Sequence, residues 1–141
     1  MNDLDIIKQI EEELNIKLKK LYSAEDISSG FRQNIDDSIA GLILYDCDIK
    51  SLNRIIKYLK NIKNLTSLDL RSNSISDISL LKDLTELKLM SNNISDISVF
   101  KDLTKLTSLD FSFNTFKSEL PRPNSSFSDI CVTMFKKPYK S

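Results

Sequence analysis

Three rows of eleven residues in the middle of the chain constrain its fold more than any other feature. They are Leu65-Thr66-Ser67-Leu68-Asp69-Leu70-Arg71-Ser72-Asn73-Ser74-Ile75, Leu84-Thr85-Glu86-Leu87-Lys88-Leu89-Met90-Ser91-Asn92-Asn93-Ile94 and Leu106-Thr107-Ser108-Leu109-Asp110-Phe111-Ser112-Phe113-Asn114-Thr115-Phe116. Each row is apolar at its first, fourth, sixth and eleventh positions and carries Asn at its ninth. A fourth copy lies upstream, from Ile39 to Ile49, with Cys47 at the ninth position. The copies begin at residues 39, 65, 84 and 106, at intervals of 26, 19 and 22. A unit of this length cannot bury its apolar face alone, so stacked neighbours must share one continuous core. The fourth-to-sixth alternation gives each unit one short strand with both apolar residues inward. Strands of successive units then pair in parallel, about 4.8 Å apart.

The pattern resembles the leucine-rich repeat, L-x-x-L-x-L-x-x-N/C-x-L. The segments after two of the rows, Ile75-Ser76-Asp77-Ile78-Ser79 and Ile94-Ser95-Asp96-Ile97-Ser98, resemble internalin-like bacterial repeats. The resemblance implies an α/β fold, a curved solenoid with a parallel concave sheet, and a role in protein recognition. Internalin-like domains are associated with bacterial proteins that bind host or partner proteins. Curvature also follows from geometry, because the outer segments need more room than the strands. The 19-residue interval is shorter than the usual 20–29, and its outer side lacks about three residues.

The rest of the chain reads as caps and connections. Leu4, Ile7, Ile10, Leu14, Leu18 and Leu21 recur at helical spacing, with Ile6 widening the stripe, which predicts an amphipathic helix over 3–22. Asn2 or Asp3 caps its start, and Glu13 and Lys17 form an i, i+4 pair. A solenoid's first repeat exposes its core, so this helix is read as the N-terminal cap, with a dimerising helix as the alternative. Ser23 to Ser38 is a polar connection with a turn at Ser28-Ser29-Gly30 and Phe31 as its buried anchor. Leu52, Ile55, Ile56, Leu59 and Ile62 predict a helix over 51–64, with Arg54, Lys57, Lys60 and Lys63 as an outer basic stripe. The Ile-Ser-Asp segments are too short and β-branched for a good helix and predict tight turns or short 3₁₀ pieces, in which Asp and Ser side chains bond nearby backbone. Pro121-Arg122-Pro123-Asn124 is a loop. Phe127, Ile130 and Val132 suggest a degenerate fifth strand around 129–134, with Met134 and Phe135 as capping bulk. Residues 1–141 are thus expected to form one domain: an N-terminal helical cap (1–38), four repeats (39–116), and a C-terminal cap and tail (117–141).

The side chains between the inward leucines define the concave surface. The third-position column is Gly41, Ser67, Glu86 and Ser108; the fifth is Ile43, Asp69, Lys88 and Asp110; the seventh is Tyr45, Arg71, Met90 and Ser112. Phe113, at an eighth position, borders the sheet. Asp69, Lys88 and Asp110 alternate in sign across strands and can form a charge ladder. Folding does not require Ile43, Tyr45, Arg71 and Met90 on a solvent face, and aromatic, Met and Arg side chains are enriched in interfaces. Arg71 neighbours Tyr45, where a guanidinium can lie over a ring. The candidate partner-binding residues are therefore Ile43, Tyr45, Asp69, Arg71, Glu86, Lys88, Met90, Asp110, Ser112 and Phe113, and the expected partner is a protein.

Other chemistries find little support. The chain has no His, only Gly30 and Gly41 as glycines, and two cysteines, Cys47 and Cys131. A His-based triad, a phosphate loop and a His metal motif are therefore absent. Asp36-Asp37 are neighbours in a polar loop and read as solvated charge. No enzyme, cofactor or metal is expected. Twenty basic and twenty acidic residues balance to zero, which disfavours a dedicated nucleic-acid binder. The alternative function is electrostatic binding of nucleic acid or an acidic surface through the basic helix and the Lys136-Lys137 tail. A regulator, inhibitor or scaffold within a larger assembly is also open. No run approaches a membrane span, and the acidic N-terminus lacks a signal-peptide start, so a cytoplasmic location is expected. Asn73, Asn92 and Asn114 should satisfy backbone groups where the chain bends, Cys47 should be buried and unreactive, and Cys131 should be an exposed thiol.

Overall fold

In a computed structural model the chain builds a curved solenoid around a six-stranded sheet with strands in sequence order. The structure describes residues 1–23, 25–79, 81, 83–96 and 98–115. The expected fifth strand, the Pro121–Asn124 loop, the capping Met134 and Phe135, the basic tail, Cys131, Phe116 and Ile97 lie outside the described residues.

The four repeats behave as their spacing predicts. Strands β3 (Ile39–Ile43), β4 (Ser67–Asp69), β5 (Glu86–Lys88) and β6 (Ser108–Asp110) pair in parallel, with Leu42, Leu68, Leu87 and Leu109 in one register column. Apolar side chains at the first, fourth, sixth and eleventh positions are buried throughout, Phe116 apart, and form one contiguous core. At every eighth position the backbone turns left-handed, with φ of 52° at Asp46, 55° at Ser72, 58° at Ser91 and 57° at Phe113. That turn carries the chain out of the sheet.

The ninth-position asparagines then fill the bend. Asn73 Oδ1 accepts from the backbone N–H of Cys47 and Ile49 (both 3.0 Å), and its Nδ2 donates to the carbonyls of Leu44, Leu70 and Arg71. Asn92 likewise accepts from Ile75 and donates to Leu70 and Leu89. Asn114 accepts from Ile94 and donates to Leu89, Phe111 and Ser112. Each amide joins its own repeat to the one before, the structural role expected of it. A second ladder was not anticipated. The second-position hydroxyls of Thr66, Thr85 and Thr107 donate to the carbonyls of Ala40, Thr66 and Thr85, one repeat back. The Leu-Thr pair opening each of the three rows was its visible sign.

The N-terminal cap differs from expectation. Helix α1 spans Asp3–Leu14, not 3–22. A capping box between Asn2 and Asp5 starts it, and Asn15, left-handed at φ 53°, ends it. Ile6, Ile7 and Ile10 are buried, whereas Leu4 is exposed. Because the helix stops early, Lys17 pairs with Glu11 (3.6 Å), and Glu13 pairs with Arg54. Arg54 Nη2 also donates to the Glu13 carbonyl, placing a cation on the open C-terminal end of the helix.

The chain then enters the sheet twice. Strand β1 (Lys19–Lys20) lies parallel to β2 (Gly30–Gln33), which runs antiparallel to β3. The polar connection thus conceals β2, which forms an edge hairpin with β3, while β1 falls in the stretch read as helix; Phe31 is buried as expected. Both glycines face the concave side beneath a neighbour. A Cβ on Gly30 would lie 2.8 Å from Leu21 Cγ and against the Lys19 carbonyl, and one on Gly41 would lie 3.0 Å from Arg32 Nε.

The outer segments are shorter than the spacing suggests. In place of a helix over 51–64, a 3₁₀ turn (Leu52–Arg54) precedes a four-residue helix α2 (Ile56–Leu59). The Asp-x-Ser turns form as expected: Asp77 Oδ1 accepts from Ser79 N–H, and Asp96 Oδ1 from both Ser98 N–H and its hydroxyl. The Ser79 hydrogen bonds hold the Asp77 carboxyl below its ordinary pKa.

Candidate functional site

The concave columns form as read: Gly41, Ser67, Glu86 and Ser108 share one register line, and Ile43, Asp69, Lys88 and Asp110 the next. Their exposure does not follow the simple alternation. Ile43 is buried, because Gly30 lies opposite it in the antiparallel pair and Leu21 folds over Gly30. Ile43 and Leu21 are both buried yet stand outside the contiguous core, so the edge hairpin closes the concave face at this end. Ile43 offers a partner no surface.

Asp69 is also buried, at 3% exposure. Arg71, two residues on and on the same side, grips it from Nε (2.9 and 3.0 Å) and Nη2 (2.7 Å), and the Arg71 N–H donates to Oδ1. These hydrogen bonds raise the Arg71 pKa, against the opposing effect of burial, with the charges of Asp69, Asp110 and Tyr45 adding to the rise. The guanidinium stands 5.7 Å from the centre of the Tyr45 ring.

The expected Asp69–Lys88–Asp110 ladder does not form. Each charge is answered on its own strand, two residues away. Lys88 pairs with Glu86 at 3.3 Å, and Ser112 donates to Asp110 from its N–H and its hydroxyl. Glu86 also accepts from Ser67. Same-face neighbours two apart serve both members at once, and Asp69 is already saturated by the Arg71 fork. Asp69 and Lys88 are therefore offset on their own strands, while exposed Asp110 keeps its negative charge toward an approaching partner.

The side chains left for contact lie along the seventh and eighth positions. Tyr45 is 37% exposed, Met90 is half-buried and Phe113 is 78% exposed, while Ser112 and Asp110 are exposed beside them. Phe113 carries the strongest signal. A left-handed backbone costs an ordinary L-residue about 1–2 kcal/mol, and three of the four repeats place Asp or Ser there. Here a bulky aromatic takes the strained position with its ring in solvent. Phe113→Asn is expected to stabilise the protein by about 0.5–1 kcal/mol, a rise in Tm of about 2 °C. Calorimetry checks this, and a lower Tm would mean that the ring packs on its own chain.

Cys47 is half-buried rather than buried. Its thiol lies 3.4 Å from the Tyr45 carbonyl and 3.5 Å from Ser29 Oγ, beside the edge hairpin rather than inside a stack of repeats. Burial raises its pKa, which opposes thiolate chemistry. On the outer side Lys57, Lys60 and Lys63 are exposed, and Lys57 lies 4.7 Å over the Tyr58 ring. Among the described residues no group of His, Cys, Asp and Glu is arranged to hold a metal, and no helix is long and apolar enough to cross a membrane.

A family model of two leucine-rich repeats matches residues 63–100, and a model of one such repeat matches residues 102–119. No curated protein matches the chain. Among solved structures, internalin C2 of Listeria monocytogenes superposes with a TM-score of 0.51 at 19% identity, over 92% of this chain and 50% of its own. The chain spans half the length of that protein, and the likeness at this identity is one of fold.

Proposed function

We propose that this chain, a leucine-rich repeat protein of internalin-like fold, is a non-catalytic module that binds a partner protein through its concave face. The contact runs across the C-terminal ends of the strands, from Tyr45 past Arg71 and Met90 to Ser112 and Phe113. Lys88, Glu86 and Asp110 form its polar border. Residues 1–141 act as one domain, with the N-terminal segment closing the stack.

The observation that carries this reading is Phe113, an exposed aromatic held at a backbone angle that its sister positions give to Asp and Ser. Strain retained without a packing return marks a position kept for contact. Tyr45, in the adjoining seventh-position column, lies at the other end of the stack. Four adjacent strands span about 14 Å, so the row is long enough for two aromatic anchors with a flexible Met between them. Aromatic anchors of this kind dominate binding energy at interfaces.

The test compares a Tyr45→Ala, Met90→Ala, Phe113→Asn variant with wild type as bait in native lysate, after circular dichroism confirms unchanged folding. A protein retained by wild type and lost by the variant supports the concave site. A protein held equally by both overturns it. Arg71 is left intact because its hold on Asp69 belongs to the fold.

A further inference from the structure

The unequal lengths of the repeats leave a notch on the outer side of the stack. The first repeat returns through a 3₁₀ turn and α2, whereas the second returns in a single turn closed by Leu81 N–H on the Ile78 carbonyl (3.1 Å). A helix with its side chains is about 10 Å across, twice the roughly 4.8 Å strand separation. Neighbouring outer arcs therefore fall out of step with the sheet. The result is a cavity of about 140 Å³ open to solvent between them.

Its floor is Leu59, Ile62, Leu65, Leu81 and Leu84, each with 4 to 9% of its surface still exposed. Its rim is Ile56, Lys60 and Lys63 on one side and Asp83 on the other. Two quantities restrict the occupant. The first is volume. A cavity of about 150 Å³ holds one benzene ring, and small-molecule sites run to about 300–1,000 Å³. The notch is sized for one large apolar side chain and is too small for a cofactor or a long acyl chain. The second is charge. From Ile49 to Leu68 the sequence holds five basic residues and no acidic one, and of these Arg54 is taken up by Glu13, which leaves Lys57, Lys60 and Lys63 exposed on the outer side. Asp83 across the notch already receives Lys105 Nζ at 2.7 Å. The field at the opening is therefore positive.

We propose that this notch docks an acidic protein segment, which inserts one Leu or Phe side chain between α2 and the second repeat. Carboxylates flanking that side chain meet Lys60 and Lys63. The site lies on the opposite side of the sheet from the concave row, so either can fail without the other.

The test uses the full chain and a fluorescein-labelled synthetic peptide, Glu-Glu-Asp-Phe-Glu-Asp-Glu, followed by anisotropy. Wild type is expected to bind it, and the peptide with Ala in place of Phe to bind about tenfold more weakly. Ile56→Trp fills the notch from its rim without changing charge and should give a similar loss. Lys60→Glu with Lys63→Glu should abolish binding, while the concave triple variant should leave it unchanged. Equal binding of the Phe and Ala peptides overturns the proposal, since charge alone would then suffice. Absence of binding at millimolar peptide overturns it as well, as does tighter binding of an oligothymidylate than of the Phe peptide. If Ile56→Trp fails to fold, the Phe-to-Ala comparison decides alone, because it leaves the protein untouched.

Discussion

Asn73→Ala is expected to lower stability by about 3–5 kcal/mol, a large part of the roughly 5–15 kcal/mol that holds a domain folded. The side chain is buried and serves five backbone groups, two N–H donors in the first repeat and three carbonyls on either side of the bend. Alanine leaves the Cys47 and Ile49 N–H groups and the Leu44 carbonyl unpaired, whereas the Leu70 carbonyl keeps Asn92 and the Arg71 carbonyl keeps the Asp46 N–H. Each fully buried orphan costs about 1–3 kcal/mol. Of the three, the Cys47 N–H is only part-buried and regains water, which holds the total below the simple sum. In urea, with a slope of about 2 kcal/mol/M, the midpoint should fall by about 1.5–2.5 M. Asn114→Ala should cost less, because that amide is only part-buried. A loss under about 1 kcal/mol for Asn73→Ala would mean that the bend closes without the amide.

Arg71→Ala is the second large effect, about 2–4 kcal/mol. Exposed ion pairs contribute about 0–1 kcal/mol, but this one is not exposed. The Asp69 side chain is 4% accessible and that of Arg71 is 19%. Removing the fork leaves the carboxylate without its partner, which costs about 3–5 kcal/mol when the site stays fully enclosed. The accessible part of Arg71 lets water back in and sets the lower range. The double variant Asp69→Ala, Arg71→Ala should recover most of the loss, because no charge is then left buried. A double-mutant cycle by urea denaturation measures the coupling, and coupling below about 0.5 kcal/mol would make this an ordinary surface pair.

The repeats were legible because their rule repeats. An apolar residue at four fixed positions and Asn at a fifth set strand, register and core together, and the parallel pairing of Leu42, Leu68, Leu87 and Leu109 follows from them. The edge strands β1 and β2 were not legible. A two-residue strand and a four-residue strand carry too little alternation to be read, and only Phe31 signalled burial. The helix end was obscured because Leu18 and Leu21 continue the helical spacing by chance. Asn15, a residue that tolerates the left-handed turn, was the available sign. Within the candidate site, alternation set the third- and fifth-position register columns but could not predict what would cover a side chain. Ile43 vanishes under the hairpin and Asp69 under Arg71, both through contacts two residues away or in a neighbouring strand. The strain at Phe113 became visible only as a backbone angle.

The asparagine ladder also has a direction. Asn73 completes the bend at Cys47–Ile49, Asn92 completes Ile75, and Asn114 completes Ile94. Among the described repeats, the coils starting at Ile39, Leu65 and Leu84 each receive the amide that finishes their outward turn from the coil after them. On a ribosome, which delivers the N-terminus first, each coil must wait for its successor before its last amide hydrogens are satisfied. Closure is therefore expected to trail synthesis by one repeat, from the cap onward.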